Sequence, residues 1–374
     1  GRLFSILACG LVFGDHYNVV VFDPSDQTSV VGFNVFASVP VSERSRLASE
    51  IVLVFKKITA QGSWGPRLES VLRLAILALL EVPGSTMLDL YDFLTDEEYR
   101  AALLDQVTDR FVRDFWKNTF ASFSDNQQST IVSPLLNKIE PWLTYPEARR
   151  MLGQPNSTIE LNEIMDSGKI LLVRIPQGVL GEDLSNLVGA LVMTMTQMAV
   201  MHRSSVPFRN RKPVHLLIDE FQNFTTSSLE TLLSMARSFG LSLICANQHD
   251  AQLTPEVVAS LENNCAVRIS CALDGFSHLG ILTILQDFTK PEIIVRPLYP
   301  PYPGSHQSAK DVQLLSQLKY NLPVADVDRM LETKWNLRKQ TVTVPSRALA
   351  AIADRSETPI ATVDLPEAMI QYGI

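Results

Sequence analysis

The sequence predicts an α/β chain whose mostly parallel sheet is interrupted by an all-helical insertion. Three observations carry this. Short apolar runs recur at Val19–Phe22, Lys169–Ile175, Val214–Ile218, Leu241–Ala246 and Ala266–Cys271. Helical patterns separate most of them, which is the alternation of an α/β fold. Residues from about 66 to 153 show helical spacing and no strand pattern. Finally, 374 residues that are 46% hydrophobic and 19% charged can bury two modest domains, or one domain with a large insertion.

Taken in order, Val19–Phe22 is the first strand. The insertion follows, with LESVLRLAILALLEV, LTDEEYRAALLDQV and TDRFVRDFWKNTF at helical periodicity. Thr95 and Glu98 are spaced as a capping box, and Pro83-Gly84 and Pro134 punctuate the segment. Trp116, Phe120 and Phe123 suit its core, because aromatic side chains dominate cores. The run from Leu184 to Met201 carries no charge and is long enough to raise the membrane question. Its Ser, Asn, Thr and Gln favour a buried helix instead. Ser227 and Glu230 form a second capping-box pattern, Leu229, Leu232, Leu233 and Ala236 recur at helical spacing, and Gly240 stands where a helix should stop. Strand, helix and strand from Val214 to Ala246 have the length of a right-handed crossover. PLYPPYP after Arg296 reads as an extended linker, and VADVDRMLETKW as a later helix. The expected divisions are 1–65, the helical 66–157, 158–296, and a tail from 297 to 374. No internal repeat is visible.

The net charge of −8 and pI of about 5.3 exclude a chain-wide basic surface for nucleic acid, while leaving room for a local basic loop. Cys9, Cys245, Cys265 and Cys271 lack C-x-x-C spacing, so neither a zinc site nor a disulfide framework is suggested. Cys245 and Cys271 lie in apolar runs and suit a core. The chain starts without Met or a signal-peptide pattern, and reads as cytoplasmic or as the soluble part of something larger.

The segment HLLIDEFQNF places two acids, Asp219 and Glu220, directly after an apolar strand. Side chains at the carboxyl ends of parallel strands face the crevice where open α/β sheets bind ligands. Two carboxylates there suit a metal–nucleotide site, one holding Mg²⁺ and the next orienting or deprotonating a water. The plainer alternative is that they begin a loop and cap the following helix. Asn247 and Gln248 emerge likewise from the next apolar run, and Gln248 falls near the acids if the strands are neighbours. An amide there could sense a γ-phosphate; the alternative is a turn residue. Arg237, late in the intervening helix, could stabilise phosphate charge in a neighbouring subunit, or could be an exposed Arg favoured by the helix dipole.

LLIDEFQNFTTSSLETLLSMARSFGLSLICANQ resembles the second acidic motif of conjugative coupling proteins, the TraG/TraD-like, RecA-like ATPases of type IV secretion related to HerA/FtsK motors. VVVFDPSDQTSVVGFNVF, SWGPRLESVLRLAILALLE and STIELNEIMDSGKILLVRIPQGVLGEDLSNLVGALV extend the resemblance over roughly residues 1–270, with KYNLPVADVDRML weakly similar. The resemblance implies a RecA-like P-loop NTPase core. Asp219 would be the Mg²⁺-associated, nucleotide-site acid, Glu220 the catalytic base and Gln248 the sensor amide. It also implies ATP and Mg²⁺ as cofactors, a homo-hexamer, and DNA, relaxosome proteins and a secretion channel as partners. The motor would work at the inner face of the cell membrane.

One departure matters. The family's phosphate-binding loop, G-x-x-x-x-G-K-[ST], does not occur in these 374 residues. Gly168-Lys169 lacks the upstream Gly and the following hydroxyl, and GVLGEDLS at 178–185 lacks Lys. The expectation is a C-terminal part of a longer motor, or else a degenerate adaptor that no longer hydrolyses nucleotide.

Overall fold

A computed structural model describes residues 18–58, 64–224, 227–271, 280–284, 293–295 and 306–340. The strands are β1 (Val19–Phe22), β2 (Ser29–Val31), β3 (Ile170–Val173), β4 (Val214–Ile218), β5 (Leu241–Cys245), β6 (Val267–Cys271), β7 (Gly280–Ile284), β8 (Ile293–Val295) and β9 (Asn321–Pro323). Two pairs are parallel: β1 with β3, and β4 with β5. Among the described residues these pairs are hydrogen-bonded separately, so the parallel strands appear as two ribbons. The five expected strands are all present. The run at Ala266–Cys271 differs in direction, since β6 lies antiparallel to β7. Residues 272–279 between them are too few for the crossover that a parallel return needs. β2 and β9 form an unforeseen antiparallel pair, joining the start of the chain to its late segment.

The helices are α1 (Val41–Ile58), α2 (Pro66–Glu81), α3 (Asp89–Thr95), α4 (Glu97–Leu104), α5 (Arg110–Asp114), α6 (Asp125–Leu143), α7 (Pro146–Leu152), α8 (Leu161–Ser167), α9 (Gln177–Leu180), α10 (Glu182–His202), α11 (Ser227–Met235), α12 (Pro255–Asn264), α13 (His306–Tyr320) and α14 (Val324–Gln340). In α1, Leu47, Ala48, Ile51, Val52 and Phe55 recur on one face and are buried, while Lys56 and Lys57 fall at the dipole-favoured end. Pro66 opens α2 at a position where its missing N–H costs nothing.

No strand falls within residues 66–153. Trp116 is 1% exposed and meets Phe93 edge-on at a centroid distance of 4.8 Å and Phe120 at 4.7 Å. It sits on a π-helical turn, Phe115–Phe120, that continues α5. The buried Arg100 lies over the Phe120 ring and donates to the Phe93 carbonyl at 3.0 Å. The aromatic core expected at Trp116, Phe120 and Phe123 is therefore present, with Phe123 at its margin.

Two local expectations are corrected. Asp96, and not Thr95, caps α4: its carboxylate accepts the Tyr99 N–H at 2.9 Å. Thr95 is the last residue of α3 and its hydroxyl donates back to the Tyr91 carbonyl. Pro134 does not end a helix; it lies inside α6 together with Pro141. The capping-box side chains Ser227 and Glu230 lie outside the described residues.

The uncharged run forms most of α10. By length and composition α10 could cross a bilayer, but 78% of its most apolar window is buried inside the protein. Leu184, Leu187, Val188 and Leu191 join a core that also holds β1, the helices of 66–152 and, from α14, Val327 and Leu331. The late segment is tied in by polar contacts as well. Lys334 pairs with the buried Asp89 at 2.7 Å, and Arg150 makes a two-pronged contact with Asp328 at 2.7 and 2.8 Å.

Candidate functional site

β4 and β5 are in register, Val214 opposite Leu241 through Ile218 opposite Cys245, so both strands end at one edge. There the Ala246 N–H donates to the Ile218 carbonyl at 2.9 Å and the Phe221 N–H to the Ala246 carbonyl at 3.0 Å. These two bonds hold the ends of both strands together. Asp219 and Glu220 occupy the resulting turn, and both are exposed.

Glu220 has φ +50°, one of two non-glycine residues with positive φ among those described. The left-handed region crowds a Cβ and is sparsely used outside Gly, Asn and Asp. Two anchors enforce it. Phe221, next in the chain, is 1% exposed in the core beneath the ribbon. Phe224 closes the 3₁₀ turn that follows and packs on Gly189 of α10, where any Cβ would collide with its ring. Burying Phe221 and seating Phe224 leave the Glu220 backbone little choice.

Gln248 lies where the neighbouring-strand argument puts it: its Nε2 donates to Glu220 Oε1 at 3.4 Å. The Glu220 N–H donates to Asp219 Oδ1 at 3.1 Å, which fixes the first carboxylate against the turn. Glu220 and Gln248 thus meet, and Asp219 lies next to them in the turn. Arg237 does not join them. It is exposed in the 3₁₀ turn Ala236–Phe239, just before Gly240 (φ +72°) and the start of β5, at the opposite edge of the ribbon. Within one chain it could not reach the acids.

Further polar groups continue the edge. Asn247 Nδ2 donates to Asp250 Oδ1 at 3.3 Å, and Asp250 pairs with Arg268 of β6. The Asn247 amide and then Arg268 hold the Asp250 carboxyl below its usual range. Behind the edge, burial pushes the Cys245 thiol up to about 12, so it is an inert packing group.

The β1–β3 ribbon repeats the pattern. Asp23 and Arg174 directly follow their strands and pair at 2.8 Å, with the Ser25 hydroxyl donating to Asp23 Oδ1 at 2.5 Å. Sequence reasoning overlooked this pair, although the strand-end rule that selects Asp219 selects Asp23 and Arg174 equally.

Among the described residues no group of three or more His, Cys, Asp or Glu could hold a metal ion. Asp219 with its neighbour is a two-carboxylate set, which suits Mg²⁺: that ion keeps several waters and takes one or two carboxylates plus phosphate oxygens. The donor chemistry therefore fits a hydrated Mg²⁺ carried by a nucleotide.

Residues 213–277 match a family model described as the TraM recognition site of TraD and TraG. A comparison with curated proteins returns no match. Similar solved structures include the bacterial conjugative coupling protein TrwBdeltaN70 in its unbound monoclinic form. It has a TM-score of 0.48 and 14% identity, covering 75% of this chain and 66% of that one. The plasmid coupling protein TrwB in complex with ADP and Mg²⁺ gives a TM-score of 0.48 and 16% identity, covering 82% and 74%. The same protein with the non-hydrolysable ATP analogue ADPNP gives 0.48 and 14%, covering 76% and 67%. The chain spans about two thirds of the length of the first of these. The acid pair, the crossover and Gln248 all fall within residues 213–277, the segment that matches the model of the TraM recognition site of TraD and TraG.

Proposed function

We propose that the chain is part of a coupling-protein ATPase that moves DNA, with its attached relaxase, towards a type IV secretion channel. The observation that carries this is the contact of Gln248 with Glu220, beside Asp219, at the end of a parallel ribbon inside the matched segment. In this reading Asp219 would help hold the hydrated Mg²⁺ of ATP. Glu220 accepts a proton from the attacking water, which its exposed carboxylate is free to approach. Gln248, touching Glu220, senses whether a γ-phosphate is present. Arg237, on the far edge, would serve only across a subunit boundary in a hexameric ring. A relaxosome protein would be the partner of the 213–277 segment, at the inner face of the cell membrane.

Replacing Glu220 by Gln keeps the shape and removes the base. In a form of the protein that carries a phosphate-binding loop, Glu220→Gln should lower steady-state hydrolysis at least about 100-fold while nucleotide still binds. Asp219→Asn should also weaken Mg²⁺-dependent binding. Hydrolysis by Glu220→Gln within about threefold of the parent, under ~1 kcal/mol, would make Glu220 a turn residue only.

The second reading is a non-hydrolysing adaptor that acts through its helical region. Both readings have this chain alone binding Mg-ATP weakly, because its 374 residues carry no G-x-x-x-x-G-K-[ST] loop to cradle the phosphates. They part on whether a loop-bearing form hydrolyses ATP.

A further inference from the structure

The segment 202–213, His-Arg-Ser-Ser-Val-Pro-Phe-Arg-Asn-Arg-Lys-Pro, carries Arg203, Arg209, Arg211 and Lys212 and no acid, in a chain of net charge −8. It lies at the amino edge of β4 and β5, the far end of the ribbon from the acid pair. Two of its four cations are consumed in building it. Arg211 donates through Nε to the Val206 carbonyl at 2.8 Å, through Nη1 to Ser238 at 2.5 Å and through Nη2 to Ser204 at 3.4 Å. Its guanidinium also lies 5.9 Å from the Phe208 ring centroid and 5.6 Å from that of Phe239. Arg203, 2% exposed, donates to the Lys212 carbonyl from below. The loop is therefore held against residues 237–240 and is fixed in shape.

What this leaves outside is specific. Arg209 and Lys212 are exposed and make no ion pair or side-chain hydrogen bond with described residues. Some exposed cations, Lys56, Lys117 and Arg268 among them, have carboxylate partners, while Arg237 has none among the described residues. Beside the two free charges, Phe208 is 63% exposed. An aromatic ring held in water beside unpaired cations on a pinned loop is the combination that binds single-stranded nucleic acid: the ring stacks on a base and the cations take the phosphates, with little regard for sequence. Polyglutamate would use the charges but has no aromatic group to stack on the ring.

We propose that Phe208, Arg209 and Lys212 form a contact surface for single-stranded DNA on the edge opposite the nucleotide-type site. This deepens the motor reading by naming where its cargo touches the chain, and it rests on that reading for the choice of DNA as cargo. Hydrolysis and strand contact would then occupy opposite ends of one ribbon, with α11 and β5 connecting them.

The test is fluorescence anisotropy of labelled oligo(dT) with the 374-residue chain, without nucleotide, at about 50 and 200 mM salt. The expected result is binding that weakens with salt. The double variant Arg209→Glu/Lys212→Glu should bind at least about tenfold more weakly, with a salt slope lower by about two. Phe208→Ala should bind about tenfold more weakly with the slope kept. Circular dichroism should show all variants folded, since none of the three side chains is buried. Absence of oligo(dT) binding, wild-type binding by the double variant, or polyglutamate competing as well as oligo(dT) would each overturn the proposal. Glu220→Gln should bind oligo(dT) like the parent, so a failed hydrolysis reading leaves this surface standing and a failed surface leaves the hydrolysis reading standing.

Discussion

The core around Trp116 and the edge of the β4–β5 ribbon are built on opposite principles. In the first, Phe93, Trp116 and Phe120 are at most 1% exposed and belong to a cluster that runs from Val20 to Leu331. In the second, Leu217 and Ile244 face each other in register while 51% and 52% exposed, and the strand ends carry polar groups that point into water. The helical core is specified by what it touches within the chain. The ribbon edge is specified by one strained turn, and its exposed polar side chains bond mainly to one another. Close packing and exposed polar groups therefore reside in different places, so substitutions should separate them.

The largest separation should come from the two cores. Phe93→Ala removes a ring packed on Trp116 and should cost about 3–5 kcal/mol in urea unfolding. Leu217→Thr, at an exposed ribbon position, should change stability by under about 1 kcal/mol. Comparable losses from the two would break the comparison.

A smaller effect concerns charge inside the helical region. Burial pushes the Asp92 carboxyl up to about 6, with Lys334 pulling it down and Asp96 adding to the rise. Between about pH 4 and 6 the folded state then binds more protons than the unfolded chain. The group's stabilising contribution is full below about pH 4 and lost as pH rises through 6. Asp92→Asn should thus stabilise the protein at pH 8 by about 1–2 kcal/mol and leave it nearly unchanged at pH 4, read from paired denaturation curves. Smaller still, Asp96→Ala should cost about 1 kcal/mol through loss of the α4 cap, and Thr95→Ala less. The reverse order would restore Thr95 as the cap.

The same contrast governs what could be read from the sequence. The strands at Val19–Phe22 and Val214–Ile218 and the buried α10 follow from apolar runs, and packing enforced them. Asp219, Glu220 and Gln248 were legible because strand ends are fixed by the strands. Other features depend on partners distant in sequence. β2 was hidden because its pairing with β9 joins residues nearly 300 positions apart. The open face of β4 was hidden because a continuous apolar run reads as buried on both sides, whereas His215 and Leu217 are exposed. Thr95 misled because two helices abut, so the cap fell one residue later, on Asp96. The left-handed turn at Glu220 has no signature of its own; it follows from burying Phe221 and from Phe224 finding a glycine on α10.

If Glu220 serves chemistry as proposed, the fold does not need its side chain. The most direct measurement is the unfolding free energy of Glu220→Gly. Glycine takes φ +50° without Cβ crowding, worth roughly 1 kcal/mol, against a similar gain in unfolded-chain entropy. The variant should be as stable as the parent to within about 1 kcal/mol, or more stable. A loss above about 2 kcal/mol would mean that the carboxylate supports the loop, and that the acids at the end of β4 are there for structure.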